Sequence, residues 1–399
     1  MTIGIVSYFN PFECRDYLHS DQDIPDINKA ASSVNAITLG LLKAGHCVIV
    51  ITSWDKKGPV VHLRGKKLNV YIVSTFSKIP KAEIFTRWYM VNRLRKELYK
   101  HIDQLDIVHC HWTYDFAMAA APYATIKPVF CSIRDWSPVI QQHQNGFKGK
   151  IKWRIISGTL FKRVMKNSRI NFIANSQYIY NLVKDTYPSA CCYIIENPVK
   201  KSFIRLDRSD YPNSPVFVSI AQDLLEDRKN YSGLLTAFSY FRASHPDARL
   251  LLIGEYSTKA IVFRQWEQTG LTKNVEFLGF VSHDKLIDIL DNASALIHPS
   301  LEESFGNTLL EGMARRIPVI GGKDSGAVPY VLGHGEYGIL CDVKNPEDIT
   351  RAMTKALDID NLQPVIDKAT NKLNNELNND IIAQKHINLF TEVLQNQHE

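Results

Sequence analysis

The chain has 399 residues, 45% of them hydrophobic and 22% charged, with a formal net charge of +6. That balance is ordinary for a globular protein and excludes a disordered or fibrous chain. No apolar run reaches the roughly 18 residues that span a bilayer, and the opening Met1-Thr2-Ile3-Gly4-Ile5-Val6 lacks a basic n-region, so a cytosolic protein without a secretory signal is expected.

Strands and helices alternate along the chain. Residues 3–8 form an apolar, β-rich opening strand; residues 30–43 have helical spacing and stop at Gly45; residues 47–52 form a second buried strand. Apolar runs at 70–73, 107–110, 129–133 and 170–174 continue the series, which predicts a doubly wound parallel sheet. Proline and a polar stretch then break the periodicity at Glu196-Asn197-Pro198-Val199 and residues 200–214. A second series follows at 216–221, 250–254, 275–278, 295–298, 318–320 and 338–341, with helices between. The predicted fold class is therefore α/β, with two tandem Rossmann-like domains at 1–199 and 200–379 and a last helix within 380–399. Seven cysteines at scattered positions, Cys191 and Cys192 among them, give neither a paired framework nor metal-ligand spacing, so a reducing compartment and no structural zinc are expected.

Charge is uneven. Residues 1–200 hold 27 Lys plus Arg against 14 Asp plus Glu, a net +13, while the remainder holds 20 against 27, a net −7. Between Asp135 and Asp185 no acidic residue occurs, and Lys148, Lys150, Lys152, Arg154, Lys162, Arg163, Lys166 and Arg169 are mixed with Phe147, Trp153, Ile155, Ile156, Leu160, Phe161 and Val164. That mixture suits a basic amphipathic segment on an anionic membrane surface, with Trp153 and Phe161 inserted at the interface. A solvated basic face over ordinary core contacts is the alternative. No recognition motif accompanies the charge, so no nucleic-acid partner is expected.

The most informative stretch is Pro299-Ser300-Leu301-Glu302-Glu303-Ser304-Phe305-Gly306-Asn307-Thr308-Leu309-Leu310-Glu311-Gly312-Met313-Ala314, followed by Ile317-Pro318-Val319-Ile320-Gly321-Gly322. It places Glu303 in a glycine-bearing turn and Glu311 two turns into the helix that the turn opens. Leu309, Leu310, Met313 and Ala314 are spaced for packing on a sheet, so the turn presents the helix's first N–H groups, a ready phosphate site. A carboxylate before that turn reaches a sugar hydroxyl, and one within the helix accepts both hydroxyls of a ribose. The arrangement suits a nucleotide-sugar. The plainer alternative is that Glu303 caps the helix and Glu311 lies on a solvated face.

At these residues the chain resembles the retaining nucleotide-sugar glycosyltransferases of family four, which share the two-domain GT-B architecture and a Glu-x7-Glu signature. The resemblance includes the strand ending His298-Pro299-Ser300, the Phe-Gly after the first Glu and the Pro-Val-Ile strand after the helix. It implies two domains facing across a donor-binding cleft, with the last helix crossing back to the first domain. It further implies donor contacts from Ser304, Phe305, Gly306, Asn307, Thr308, Glu311 and Val281, and a catalytic role for Glu303. Where the family has Gly-Arg after the first strand of the second domain, this chain has Ala221-Gln222; Lys229 matches the family's lysine, and Arg228 is the nearby substitute for the missing arginine, or else a surface cation beside Glu226 and Asp227. Where the family has a paired-glycine loop, residues 26–33 read Asp-Ile-Asn-Lys-Ala-Ala-Ser-Ser, after an insertion at 11–25 that must reshape the cleft. Where it has His-Asp, this chain has Arg134-Asp135; arginine cannot serve as a base, but it can bind an acceptor phosphate or stabilise the leaving group. His109 and His111 are the acceptor-side candidates.

The resemblance implies sugar transfer with retention, by positioning and electrostatics, with no cofactor and no metal; no Asp-x-Asp motif lies near the donor loop. The implied partners are a nucleotide-sugar and a glycan or polyprenyl-diphosphate-linked acceptor, in the setting of bacterial surface polysaccharide at the cytoplasmic face of the inner membrane. The rival readings are a same-fold epimerase and a non-catalytic nucleotide-sugar-binding protein. A nicotinamide oxidoreductase would need a Gly-x-Gly-x-x-Gly turn that residues 7–12 lack.

Overall fold

The structure is a computed structural model that describes residues 1–25, 27, 31–75, 83–144 and 146–396, and for residues 83–85, 147 and 148 the backbone alone. The chain forms two compact units, one of Met1–Gln142, Gly146–Pro198 and Asn379–Glu399, the other of Val199–Asn378 with His143–Asn145.

The first unit holds β1 (Thr2–Val6), β2 (Cys47–Trp54), β3 (Val61–Arg64), β4 (Leu68–Ser74), β5 (Ile107–His111), β6 (Val129–Ile133), β7 (Ile170–Ala174) and β8 (Cys192–Ile194). They lie in the order β3-β4-β2-β1-β5-β6-β7-β8. The central strands are runs of Val, Ile and Cys covered on both faces, as parallel pairing demands. Two strands escape the sequence pattern: β3 is short, mixed in polarity and antiparallel to β4 at the edge, and β8 is only three residues long. The opening strand stops at Val6, and Ser7 then donates to Ile51 O at 3.2 Å. The first helix runs Ser32–Lys43; of the segment expected to replace the paired-glycine loop, residues 26 and 28–30 lie outside the described residues. The insertion begins as a short helix, Pro11–Tyr17, tied to that first helix because Asn35 Nδ2 donates to Asn10 O at 2.9 Å.

The basic segment is one helical run: Phe147–Ile155, a π-helical turn Ile156–Phe161, and Lys162–Met165. Its apolar side belongs to the core. Phe161 is 1% exposed and packs edge-on against Trp136 at 4.8 Å, which overturns its expected insertion into a membrane. Trp153 is half-buried and meets Tyr114 at 6.1 Å, while Ile151 is 43% exposed. Among the described residues no helix is long and apolar enough to cross a membrane.

The last helix, Asn379–Gln395, lies on Ser32–Lys43. Gly40 allows the contact: a Cβ there would stand 2.4 Å from Asn379 O and 2.5 Å from the Ala383 Cβ. Beyond this crossing His386 and Phe390 reach the sheet, with ring centroids 5.2 Å from His109 and 4.6 Å from Phe130. His109 and His111 are stacked at 4.2 Å, and Arg134 donates to His111 Nδ1 from Nε at 3.1 Å. Burial holds His109 and His111 well below the usual histidine range, reinforced by His386 and Arg134 for both and by His109 for His111, and lowers His386 to about 4. A second proton would find nothing to bond, since His109 Nδ1, His111 Nε2 and His386 Nε2 have no partner among the described residues.

The second unit holds β9 (Val216–Asp223), β10 (Arg249–Glu255), β11 (Val275–Gly279), β12 (Ala295–His298), β13 (Val319–Gly322) and β14 (Ile339–Cys341), all parallel, in the order β11-β10-β9-β12-β13-β14. Phe217, Phe238, Phe241 and Leu252 fill one side of it. The polar stretch before β9 is fixed by Arg208, which is buried and donates to the carbonyls of Asp210, Leu290, Asp291 and Ala293 at 2.9–3.2 Å. Three of those carbonyls end the helix His283–Asp291 or follow it, so the guanidinium meets the negative end of that helix.

Two predictions follow from the packing of the last helix. Gly40→Val should cost about 1–3 kcal/mol by overpacking, read as a lower urea midpoint; an unchanged midpoint would mean the helices do not meet at this glycine. The histidines are neutral when folded but take protons near about 6.5 when unfolded, so the unfolded chain binds more protons as pH falls. Stability should be flat above that pH and decline from there to about 4, where His386 itself titrates. His386→Gln should flatten the slope of unfolding free energy between pH 7 and 5, and an equal slope in both chains would remove His386 from the cause.

Candidate active site

In the second sheet the strand order reverses between β9 and β12, which opens a crevice beyond their carboxyl ends. The loop after β9 makes a single turn, Asp227–Lys229, and the turn after β12 carries Glu303. The two loops are laced together. Leu301 N–H donates to Arg228 O at 2.8 Å, and the Asn230 amide donates to Pro299 O at 3.2 Å and Val343 O at 2.7 Å. Asn230 adopts a left-handed backbone (φ 55°) that its residue type tolerates.

Glu303 is the centre of this lattice, with its side chain 12% exposed. Its carboxylate is paired with Lys229 Nζ, lies 3.4 Å from His298 Nε2 and lies 3.6 Å from the Arg228 guanidinium. Burial alone would raise its pKa, but Lys229, the His298 hydrogen bond and Arg228 together hold it well below the usual carboxylate range. Its backbone is fixed as well, because Ala327 N–H donates to Glu303 O at 2.8 Å. Arg228 is shared: its Nε donates to Glu226 Oε1 at 3.0 Å and its Nη1 to Glu302 O at 2.9 Å. It lies 3.6 Å from Glu303 and is also paired with Glu226.

Past Glu303 the chain turns through Gly306 at φ 91°, where a Cβ would also meet Leu309 Cδ1 at 2.9 Å, and enters the helix Asn307–Ala314. The first N–H groups of a helix entered in this way are of the kind that bind an anion. Ser304, Asn307, Thr308 and Glu311 are half-buried. Two expectations change here. Phe305 is 1% exposed, so its ring anchors the turn in the core. Glu311 stands one turn into the helix rather than two, because the helix starts at Asn307. Thr308 Oγ1 is hydrogen-bonded to His298 Nδ1 at 2.9 Å, which orients the imidazole that faces Glu303. Val281 lies just after β11, the edge strand two places from β9 in the sheet.

His298 and Asn230 are the site residues that sequence reasoning missed. His298 had a signal, since a histidine closing a buried strand five residues before Glu303 must lie at the strand's carboxyl end. Asn230 had a fainter one, an asparagine between two cations and a helix.

In the first unit, Arg134 and Asp135 follow β6. Arg134 also donates to Asn197 Oδ1, and burial lowers its pKa to about 9, so it stays a cation at neutral pH. Asp135 accepts from the Tyr114 hydroxyl at 2.7 Å. His109 and His111 are both 0% exposed, so direct contact with an acceptor, as expected from their strand-end position, is closed to them here; they are the neutral backing of Arg134.

Comparison with known proteins gives this geometry its context. The family profile described as Glycosyltransferase Family 4 matches residues 30–203, and the one described as Glycosyl transferases group 1 matches residues 203–373. An uncharacterized glycosyltransferase of Methanocaldococcus jannaschii is 24% identical over 371 residues, which are 88% of this chain and 91% of that protein. The alpha-monoglucosyldiacylglycerol synthase of Acholeplasma laidlawii is 21% identical over 328 residues, 76% of this chain and 79% of that one. Among solved structures, Anabaena HepE in complex with UDP and glucose superposes with a TM-score of 0.68 at 14% identity, covering 98% of this chain and all of that one. The chain belongs to the family-four, group 1 glycosyltransferases and has their GT-B fold.

Proposed function

We propose that the protein moves a sugar, with retention of anomeric configuration, from a nucleoside-diphosphate sugar to a glycan or lipid-linked acceptor at an anionic membrane surface. One observation carries the donor half: a lysine after β9 and a glutamate after β12, joined across the strand-order reversal beside a helix N-terminus. In this reading Lys229, assisted by Arg228, neutralises the leaving diphosphate, the helix amides bind its phosphates, Glu311 accepts the ribose hydroxyls and Glu303 accepts a hydroxyl of the transferred sugar. Charge grows on the diphosphate oxygen as the glycosidic bond breaks, and a cation already in place stabilises it without reorganisation. The departing oxygen helps remove the acceptor proton during front-face attack. The reaction asks for no metal and no cofactor. The UDP and glucose seen with HepE favour a uridine donor, and the lipid product in the name of the Acholeplasma relative favours a lipid acceptor. The basic, acid-free segment of the first unit supports the membrane surface, and bacterial surface polysaccharide is the setting we propose.

A thermal-shift screen with UDP-, GDP-, ADP- and dTDP-sugars tests the donor, since a ligand that binds only the folded chain raises its apparent stability. No shift with any of them would defeat the reading. Glu311→Ala should weaken donor binding, while Glu303→Ala should chiefly lower kcat, because contacts to the transferred sugar tighten in the transition state. Wild-type kinetics in either variant would remove that carboxylate from the site. Lys229→Ala should lose at least about 10²-fold in rate, and Arg228→Ala less, because Glu226 already holds part of its charge. A worse loss in Arg228→Ala would exchange the two roles.

A further inference from the structure

The helices Ser137–Gln142 and Phe147–Ile155 flank an open surface hollow of about 580 Å³ lined by Pro138, Gln141, Gln142, Lys150, Ile151 and Arg154. Its size is that of a small-molecule site. Lys150 and Arg154 are four residues apart on one helix, a like-charge spacing that works against the helix. Nothing nearby repays that repulsion: among the described residues neither has an acidic partner, and the sequence from 136 to 184 contains no carboxylate at all. Two cations facing one hollow, with two side-chain amides beside them, form a site for a compact anion of phosphate type, since ammonium, guanidinium and amide N–H groups all donate. The remaining lining is apolar, and Ile151 turns outward at 43% exposure next to the cations.

We propose that this hollow seats the phosphate or diphosphate of a lipid-borne acceptor, with Lys150 and Arg154 holding the anion, Gln141 and Gln142 completing its hydrogen bonds, and Ile151 with Pro138 meeting the first carbons of the chain. The proposal rests on the lipid-acceptor reading above and is independent of the donor site, which lies wholly in the other unit. It differs from a diffuse basic face in naming one place where charge loss matters more than elsewhere. Lys162 and Lys166 supply the control: an exposed like-charge pair at the same spacing, on the same helical run, outside the hollow.

The experiment compares the native chain, Lys150→Gln/Arg154→Gln and Lys162→Gln/Lys166→Gln in co-sedimentation with phosphatidylcholine vesicles with and without phosphatidic acid, at low salt, with inorganic pyrophosphate as competitor. All three chains are first checked for an unchanged urea midpoint and an unchanged thermal shift with nucleotide-sugar, so a failure of the donor reading is seen separately. The native chain should bind only the anionic vesicles, and pyrophosphate should displace it. The hollow variant should lose about tenfold more affinity than the control variant. Equal losses in the two variants would overturn the seat in favour of a diffuse surface. Absence of native binding, or displacement by salt but not by pyrophosphate at equal ionic strength, would overturn it as well. Strong pyrophosphate binding without any vesicle binding would overturn the lipid source.

Discussion

The second unit is organised around one buried carboxylate. Taking Glu303 out of water is costly, and Lys229, His298 and Arg228 together outweigh that cost and hold its pKa well below the usual carboxylate range. Those partners come from the loop after β9 and the last residue of β12, which are neighbours at the point where the strand order reverses. The backbone bonds that lace the loops, from Leu301, Asn230 and Ala327, exist to hold that geometry. Removing one partner of such a group leaves a buried charge less fully answered, which is costly in a poor solvent. The same arrangement prepares the site for chemistry, because a lysine already desolvated and oriented needs little rearrangement to meet a diphosphate.

In the first unit the organising element is the last helix. It lies close against Ser32–Lys43 because Gly40 has no side chain, and it carries His386 and Phe390 to a sheet whose own polar residues, His109 and His111, are sealed beneath it. Arg134 is the charged tip of this neutral stack, bonded to His111 and Asn197. An arginine so placed is rigid, which suits a group that binds an anion rather than one that moves a proton.

Much of this was legible in the residues. Buried parallel strands read as continuous apolar runs, so β6, β7 and β12 agree with the structure to the residue, and the block from Pro299 to Gly322 gave the turn, the helix and the strand in order. Short or edge elements were hidden: β3 alternates polarity within four residues, and β8 is shorter than any pattern window. Burial was harder to read than position. Phe305 and Phe161 sit where an exposed aromatic would serve a site or a membrane, yet both are core residues, one in the turn before a helix and the other at the end of the π-helical turn. The pairing of Lys229 with Glu303 spans 74 positions and depends on strand order, which no local pattern contains.

The claim that most needs testing is that the donor meets the chain at the β9 and β12 loops. Hydrogen exchange followed by mass spectrometry, with and without a nucleotide-sugar that raises thermal stability, locates that contact directly. Slowed exchange is expected mainly in peptides covering residues 222–230 and 299–314. Protection elsewhere in the chain with those two segments unchanged would contradict that claim.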